Sequence, residues 1–218
     1  MIHKEQQHAA GTTAAQPTET RARSPLPDNA GYASATRLAV ARDIVADETR
    51  ATLEGADLTQ VAKMIDVISQ ARRVVVVGAG RSKLSAEGFA MRLTHMGVEA
   101  HVFSDVTSPA VTSGDVVVAC SGSGGTPTVC ELARTALESD AELVAVCGNP
   151  DSELVRIATL AVLLQERGAD GRPNTSQQFV GTLFEQAALL LFDTVVLALQ
   201  QSGMVDDGDM TERHTNME

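Results

Sequence analysis

Five short apolar runs, Val74 to Val77, Ala100 to Phe103, Val116 to Cys120, Leu143 to Cys147 and Leu160 to Leu164, constrain the fold of this chain more than any other feature. Each is rich in β-branched residues and bounded by Gly, Asp, Ser or Pro, the pattern of strands buried in a parallel sheet. Between them, Ser82 to Met96, Pro127 to Ser139 and Asp151 to Ala158 repeat apolar residues at helical spacing, and parallel strands require such crossovers. The expected fold is therefore α/β: a doubly wound three-layer αβα sandwich around a five-stranded parallel sheet. Ligands of such sheets bind beyond the carboxyl ends of the strands, near the topological switch point, so the loops after the first and third strands are the places to look.

The flanks of this unit read differently. Residues 1–33 show no periodicity and bury little, and are expected to be a disordered tail. Leu38, Ile44 and Val45, then Leu58, Val61, Met64, Ile65 and Ile68, predict two amphipathic helices separated near Gly55. A last helix, Ser176 to Gln201, is apolar nearly all round and so buried on several sides. One small sheet cannot easily cover it, which implies a second subunit. The domain is expected to span residues 34–205, followed by a tail at 206–218.

Composition excludes several partners. A net charge of −11 disfavours nucleic acid and anionic membranes, because a phosphate backbone has to be met by clustered Lys and Arg. Any anion is bound locally. The three cysteines, Cys120, Cys130 and Cys147, are odd in number and lack CxxC spacing, which argues against a disulfide framework or a thiolate zinc site. A reducing cytoplasm is the simple expectation, since no signal-type apolar segment opens the chain. The greasiest stretch, Leu183 to Leu199, is interrupted by Glu185 and Asp193 and is read as core rather than as a membrane span.

The chemistry concentrates after the third strand, in Ser121-Gly122-Ser123-Gly124-Gly125-Thr126-Pro127. Three glycines let backbone N–H groups turn inward, the Ser and Thr hydroxyls add donors, and the following helix supplies a positive N-terminus for which Pro127 suits the first turn. Together they predict a phosphate cradle that needs no Lys or Arg. An ordinary strand-to-helix turn rarely needs six consecutive small or hydroxylated residues. After the first strand, Gly78-Ala79-Gly80-Arg81-Ser82 suggests a dinucleotide fingerprint, and Asp105 follows the second strand where a ribose-binding carboxylate would sit. Yet Lys83 occupies the place of the third glycine, so the helix is not expected to pack as closely on the strand.

Isomerising a sugar phosphate takes a base to move a proton between adjacent carbons and a donor to steady the enediolate. Glu185, near the start of the most apolar helix, is the candidate base, and burial would make it a stronger one. It could equally mark a polar stripe or pair with an Arg across an interface. His214 lies in an unpatterned tail that would ordinarily be solvated, and His95 sits late in a helix, where a histidine favours the C-terminal dipole. His3, His8 and His101 share no ligand spacing with one another or with the cysteines, so no metal is expected.

These motifs resemble the SIS-domain sugar isomerases, a flavodoxin-like fold family, and among them the 6-phospho-3-hexuloisomerases. The likeness runs from about Val74 to Glu218 through Gly78-Ala79-Gly80-Arg81-Ser82, Ala90-Met91-Arg92-Leu93 with His95 and Gly97, Thr107-Ser108-Pro109-Ala110 and Ser121-Gly122-Ser123-Gly124. It continues through Asn149-Pro150-Asp151-Ser152, Gly181-Thr182-Leu183-Phe184-Glu185 and the closing Arg213-His214 with Asn216 and Glu218. The resemblance implies interconversion of D-arabino-3-hexulose 6-phosphate and D-fructose 6-phosphate without metal or organic cofactor, in a homodimer or homotetramer with active sites between subunits. It implies Glu185 as the enediol base and His214 as a second acid/base or ring-opening residue. Ser82, Ser121, Gly122, Ser123, Gly124 and Thr126 become phosphate ligands, with Arg81 and Arg92 also in the binding set. Three departures touch the pattern: Lys83 and Gly125 at the pocket rim, and His-Thr-Asn-Met-Glu where His-Ala-Asn-Leu-Glu is usual. The alternatives are a non-catalytic SIS sugar-phosphate sensor, for which no DNA-binding region is present, or an SIS isomerase for another sugar phosphate.

Overall fold

The computed structural model describes residues 34–203 and 207–216. The expected tail at 1–33 lies outside them. Strands β1 (Arg73–Gly78), β2 (Ala100–Val102), β3 (Asp115–Ser121), β4 (Glu142–Cys147) and β5 (Leu160–Leu163) form one parallel sheet in the order β2-β1-β3-β4-β5. Alternate residues of each strand enter different cores. Val74 and Val76 meet Met64, Ile68, Phe89, Leu93, Leu191 and Phe192 on one face, while Val75 and Val77 meet Val129, Ala133 and Leu154 on the other. Phe89 and Phe192 stack with ring centroids 4.5 Å apart. This αβα arrangement follows from strands apolar on both sides, which have to be covered twice.

The first face carries α2 (Leu58–Gln70), α3 (Gly80–His95) and α6 (Thr182–Gln201), with α1 (Ala35–Glu54) packed outside α6; the second carries α4 (Pro127–Glu138) and the short α5 (Glu153–Ile157). The chain leaves β1 towards β2 and leaves β3 towards β4, so β1 and β3 flank the switch point. The connection from β2 to β3 contains turns but no helix.

Four expectations need correction. Helix α1 forms where its apolar spacing predicts, but Leu38 is 61% and Val45 41% exposed, whereas the fully covered positions are Glu48, Thr49 and Thr52. Its inward surface is polar because it receives the donors of a loop. Helix α6 begins at Thr182 rather than Ser176, since Gly181 at φ 84° sets its N-cap and residues 176–178 are held elsewhere. The C-terminal segment is not wholly a tail, for α7 (Asp207–Arg213) packs on α3.

Lys83 does not hold α3 away from the sheet either. A Cβ on Gly78 would lie 2.8 Å from the Lys83 Cα, so the missing side chain at Gly78 creates the close helix-to-strand approach that a glycine at position 83 would otherwise supply. Helix α6 is long and apolar enough to cross a membrane, yet half of its apolar window is buried against the sheet, α3 and α1. Leu189, Leu190 and Leu197 stay partly exposed.

Candidate active site

The loop after β3 is folded by its own small residues. The Ser121 hydroxyl accepts the Gly124 N–H at 3.1 Å and shares a 3.0 Å hydrogen bond with the Thr126 hydroxyl. The Ser123 hydroxyl accepts from the Gly125 N–H at 3.3 Å. Gly124 has φ 59°, and any Cβ there would overlap the Ser152 side chain, so this position admits only glycine. Gly122 lies against the Phe184 ring with somewhat more room, at 3.0 Å from a notional Cβ. The carbonyls are spent backwards: Gly122 accepts from the Gly148 N–H and Gly124 from the Leu154 N–H. That leaves the loop's outward face to hydroxyls and amides.

A cavity of about 190 Å³ opens over this loop, lined by Ala79, Ser82, Cys120, Ser121, Gly122, Ser123, Thr126, Gly181, Phe184 and Glu185. Three of these are N-caps, Ala79 for α3, Thr126 for α4 and Gly181 for α6, and none makes a side-chain cap hydrogen bond. Three helix N-termini therefore converge with uncapped donors on one cavity, and each carries roughly half a positive charge. Pro127 at the start of α4 has no N–H to lose. Two donors of α6 are taken elsewhere, as the Thr182 N–H reaches the Phe179 carbonyl at 3.0 Å and the Phe184 N–H the Glu166 carboxylate at 3.4 Å. The arrangement can attract an anion without a lysine.

Glu185 points into the same cavity from the first turn of α6, with 19% of its side chain exposed, and its Oε2 lies 2.9 Å from Arg81 Nε. The anticipated arginine is thus in the same chain, and Arg81 engages Glu185 rather than the loop. The Ser85 hydroxyl donates to the Glu185 carbonyl at 3.0 Å and ties α3 to α6 beside it. Ser82, Ser121, Gly122, Ser123, Thr126 and Glu185 are brought together as expected from their motifs; Gly124 shapes the loop from beneath. Cys120, not foreseen at the site, lies at its floor. Burial pushes its thiol far up, helped by Cys147 and the Glu185 charge, and burial drives Cys147 to about 12, so neither offers a thiolate at neutral pH.

Arg92 and His214 are not brought to this cavity within one chain. They line a second cavity of about 210 Å³ with His95, Met210 and Thr211, at the other end of α3. From Ser82 to His95 the helix advances about 20 Å, at ~1.5 Å per residue. The His95 and His214 ring centroids lie 4.9 Å apart, and Arg213 donates to the His95 carbonyl at 3.4 Å, which places a cation at the C-terminal end of the helix. Asp105 is exposed and no part of either cavity. Among the described residues, no group of three or more His, Cys, Asp or Glu is placed to hold a metal ion.

A parallel α/β sheet with hydroxyl-rich and helix N-terminal donors at its switch point, and a carboxylate facing them, is an arrangement that can hold a phosphorylated ligand. Residues 67–191 match the SIS domain model, and the chain belongs to the SIS-domain family. It is 38% identical to the 3-hexulose-6-phosphate isomerase of Mycobacterium gastri, over 80% of this chain and 88% of that one. With the 3-hexulose-6-phosphate isomerase of Bacillus subtilis it shares 35% identity over 72% of this chain and 85% of the relative. The crystal structure of a Methanococcus jannaschii protein, for which the function of 3-hexulose-6-phosphate isomerase was inferred, superposes at TM-score 0.70 with 25% identity, covering 82% of this chain and 99% of that one.

Proposed function

We propose that this chain interconverts D-arabino-3-hexulose 6-phosphate and D-fructose 6-phosphate. The observation that carries the reading is the convergence of three uncapped helix N-termini and the loop hydroxyls on a cavity that also receives Glu185, in a chain 38% identical to a named 3-hexulose-6-phosphate isomerase. The phosphate is the inert end of the substrate: the hydroxyls of Ser82, Ser121, Ser123 and Thr126 and the N-termini of α3, α4 and α6 hold it. Glu185 takes the proton from C2, electrons from that C–H bond form the 2,3-enediolate, and the same carboxyl returns the proton to C3 while the hydroxyl proton passes from O2 to O3. Arg81, 2.9 Å from Glu185, fixes the carboxylate and supplies positive charge as the enediolate develops.

The cavity within one chain is smaller than the ~300–1,000 Å³ usual for ligand pockets. We propose that a second copy supplies the missing wall, with its His214 and Arg92, in a homodimer or homotetramer. The exposed apolar residues Leu38, Val45, Leu189 and Leu190 of α1 and α6 support such association. Formation of fructose 6-phosphate from formaldehyde and ribulose 5-phosphate, coupled through a hexulose phosphate synthase, tests the reaction; no product with a working synthase refutes it. Truncation from Arg213 tests the shared wall: turnover is expected to fall at least tenfold with the melting temperature nearly unchanged, and full activity would remove His214 from the site.

A further inference from the structure

Helix α1 carries a carboxylate that the reaction does not use. Glu48 is fully buried, and both of its oxygens receive donors from one short segment: the Gln177 N–H at 2.8 Å on Oε1, and the Ser176 hydroxyl at 2.8 Å and the Gln178 side-chain amide at 3.2 Å on Oε2. The Ser176 hydroxyl in turn accepts the Gln178 N–H at 3.1 Å. One turn along, the Thr52 hydroxyl accepts the Arg167 N–H at 3.0 Å, and beside it the Thr49 hydroxyl donates to the Gln186 side chain at 3.0 Å. All three residues of this buried surface grip residues 167–186, the stretch that leads from the end of β5 into the active-site helix.

The first half of that stretch is held by its own hydrogen bonds, among them Asn174 N–H to the Glu166 carbonyl and Gly168 N–H to the Arg172 carbonyl; the half after Thr175 has less. Between β5 and α6 only an isolated bridge, Arg167 with Pro173, interrupts irregular chain, and loops of this length without their own secondary structure are commonly functional. Phe179 and Val180 are 86% and 87% exposed, so no burial anchors the residues immediately before Gly181. Gly181 lines the cavity and opens α6, and Glu185 lies one turn on. The fixed point nearest Gly181 on its N-terminal side is therefore the clasp at Glu48, whose bonds to Ser176, Gln177 and Gln178 end one residue before Phe179.

We propose that Glu48 is a positioning residue of the active site, a buried acceptor on α1 that clasps residues 176–178 and so sets the Gly181 N-terminus of α6 against the phosphate and Glu185. Its consequence for turnover rests on the function proposed above; its hold on the loop does not. A purely apolar residue at this position would leave the Gln177 N–H and its neighbours unsatisfied and free the segment. Gln keeps an oxygen for the Gln177 N–H, while the Ser176 hydroxyl and the Gln178 amide can rotate to accept from its nitrogen.

Hydrogen exchange on the ligand-free chain and steady-state kinetics on the same samples test this. In Glu48→Ala, amides of residues 176–182 are expected to exchange at least tenfold faster while β1 and β3 keep wild-type protection. Its kcat is expected to fall at least tenfold with KM within about threefold, because a displacement near 1 Å at a reacting centre costs up to ~10²-fold. Glu48→Gln should restore kcat to within about threefold. Wild-type exchange at 176–182 in the Ala variant overturns the clasp. A kcat that falls equally in both variants, in step with lost melting temperature, overturns the positioning role. Should Glu48→Ala fail to fold, Ser176→Ala removes one donor from the other side, with faster exchange at 176–182 expected and an unchanged rate decisive against. If the wild-type chain forms no fructose 6-phosphate, the functional reading falls and the exchange data still decide the clasp.

Discussion

Strand β3 begins and ends on buried polar residues, Asp115 at 1% exposure and Ser121 at 4%, with opposite consequences. At Asp115 every lone pair meets a donor: Arg73 at 2.8 and 3.1 Å, Arg72 at 2.9 Å and the Thr112 N–H at 2.9 Å. Burial alone would push this carboxyl up, but Arg73, the Thr112 N–H and Arg72 outweigh it and hold the carboxyl below its usual value. At Ser121 the hydroxyls and amides are satisfied only among themselves, and three helix N-termini beside them face open space. Saturated polarity fastens the sheet; polarity left facing a cavity awaits a ligand.

The contrast can be broken from either end. The largest effect is expected at the open end, where Glu185→Gln should lower kcat by about 10³-fold, within the range for loss of a general base, while the affinity for the sugar phosphate changes less than tenfold. Single-turnover and binding measurements separate the two, and retained turnover would remove Glu185 from the mechanism. At the closed end, Asp115→Asn should weaken folding by about 2 kcal/mol in urea without changing kcat, the scale of a charge-assisted hydrogen bond. The pH dependence sharpens this: because the folded carboxyl lies below its ordinary value near 3.8, its contribution is complete above about pH 4 and lost as pH falls through the folded value. Between pH 5 and 2.5 the wild type should therefore lose more stability than the Asn variant, and parallel losses would dismiss the Arg–Asp cluster. The smallest effect is Ser121→Ala, a loss of about 1–2 kcal/mol in phosphate affinity with stability nearly unchanged. Equal affinity by calorimetry would count against the cradle.

The strands were readable because β-branched runs covered on both faces leave no periodicity to misjudge, and their bounds shifted by a residue or so. The loop from Ser121 to Thr126 was readable because its chemistry is local: small residues, hydroxyls and a helix start are adjacent in sequence. What escaped was long-range. Glu48 sits 128 positions before Ser176, and nothing beside it in the sequence announces a clasp; the only hint is that Glu48 and Thr52 share one side of a helix with a weak apolar stripe. The Arg81 partner of Glu185 and the separation of His214 from the cradle follow from how α3 lies between α6 and α7. The early start assigned to α6 failed for the same reason, because Glu48 holds residues 176–178 outside the helix and Gly181, at φ 84°, begins it only afterwards.

The cavity lining contains no amine, and its one thiol, Cys120, stays protonated at neutral pH. An open-chain ketose is an electrophile at its carbonyl carbon, and a lysine laid beside it to hold the phosphate would also be placed to condense with it. Hydroxyls, amide N–H groups and helix ends attract the anion without offering that nucleophile. In the reaction proposed above, the carbonyl would meet Glu185 and Arg81 as an unmodified ketone, and the site would be kept from being trapped by its own substrate.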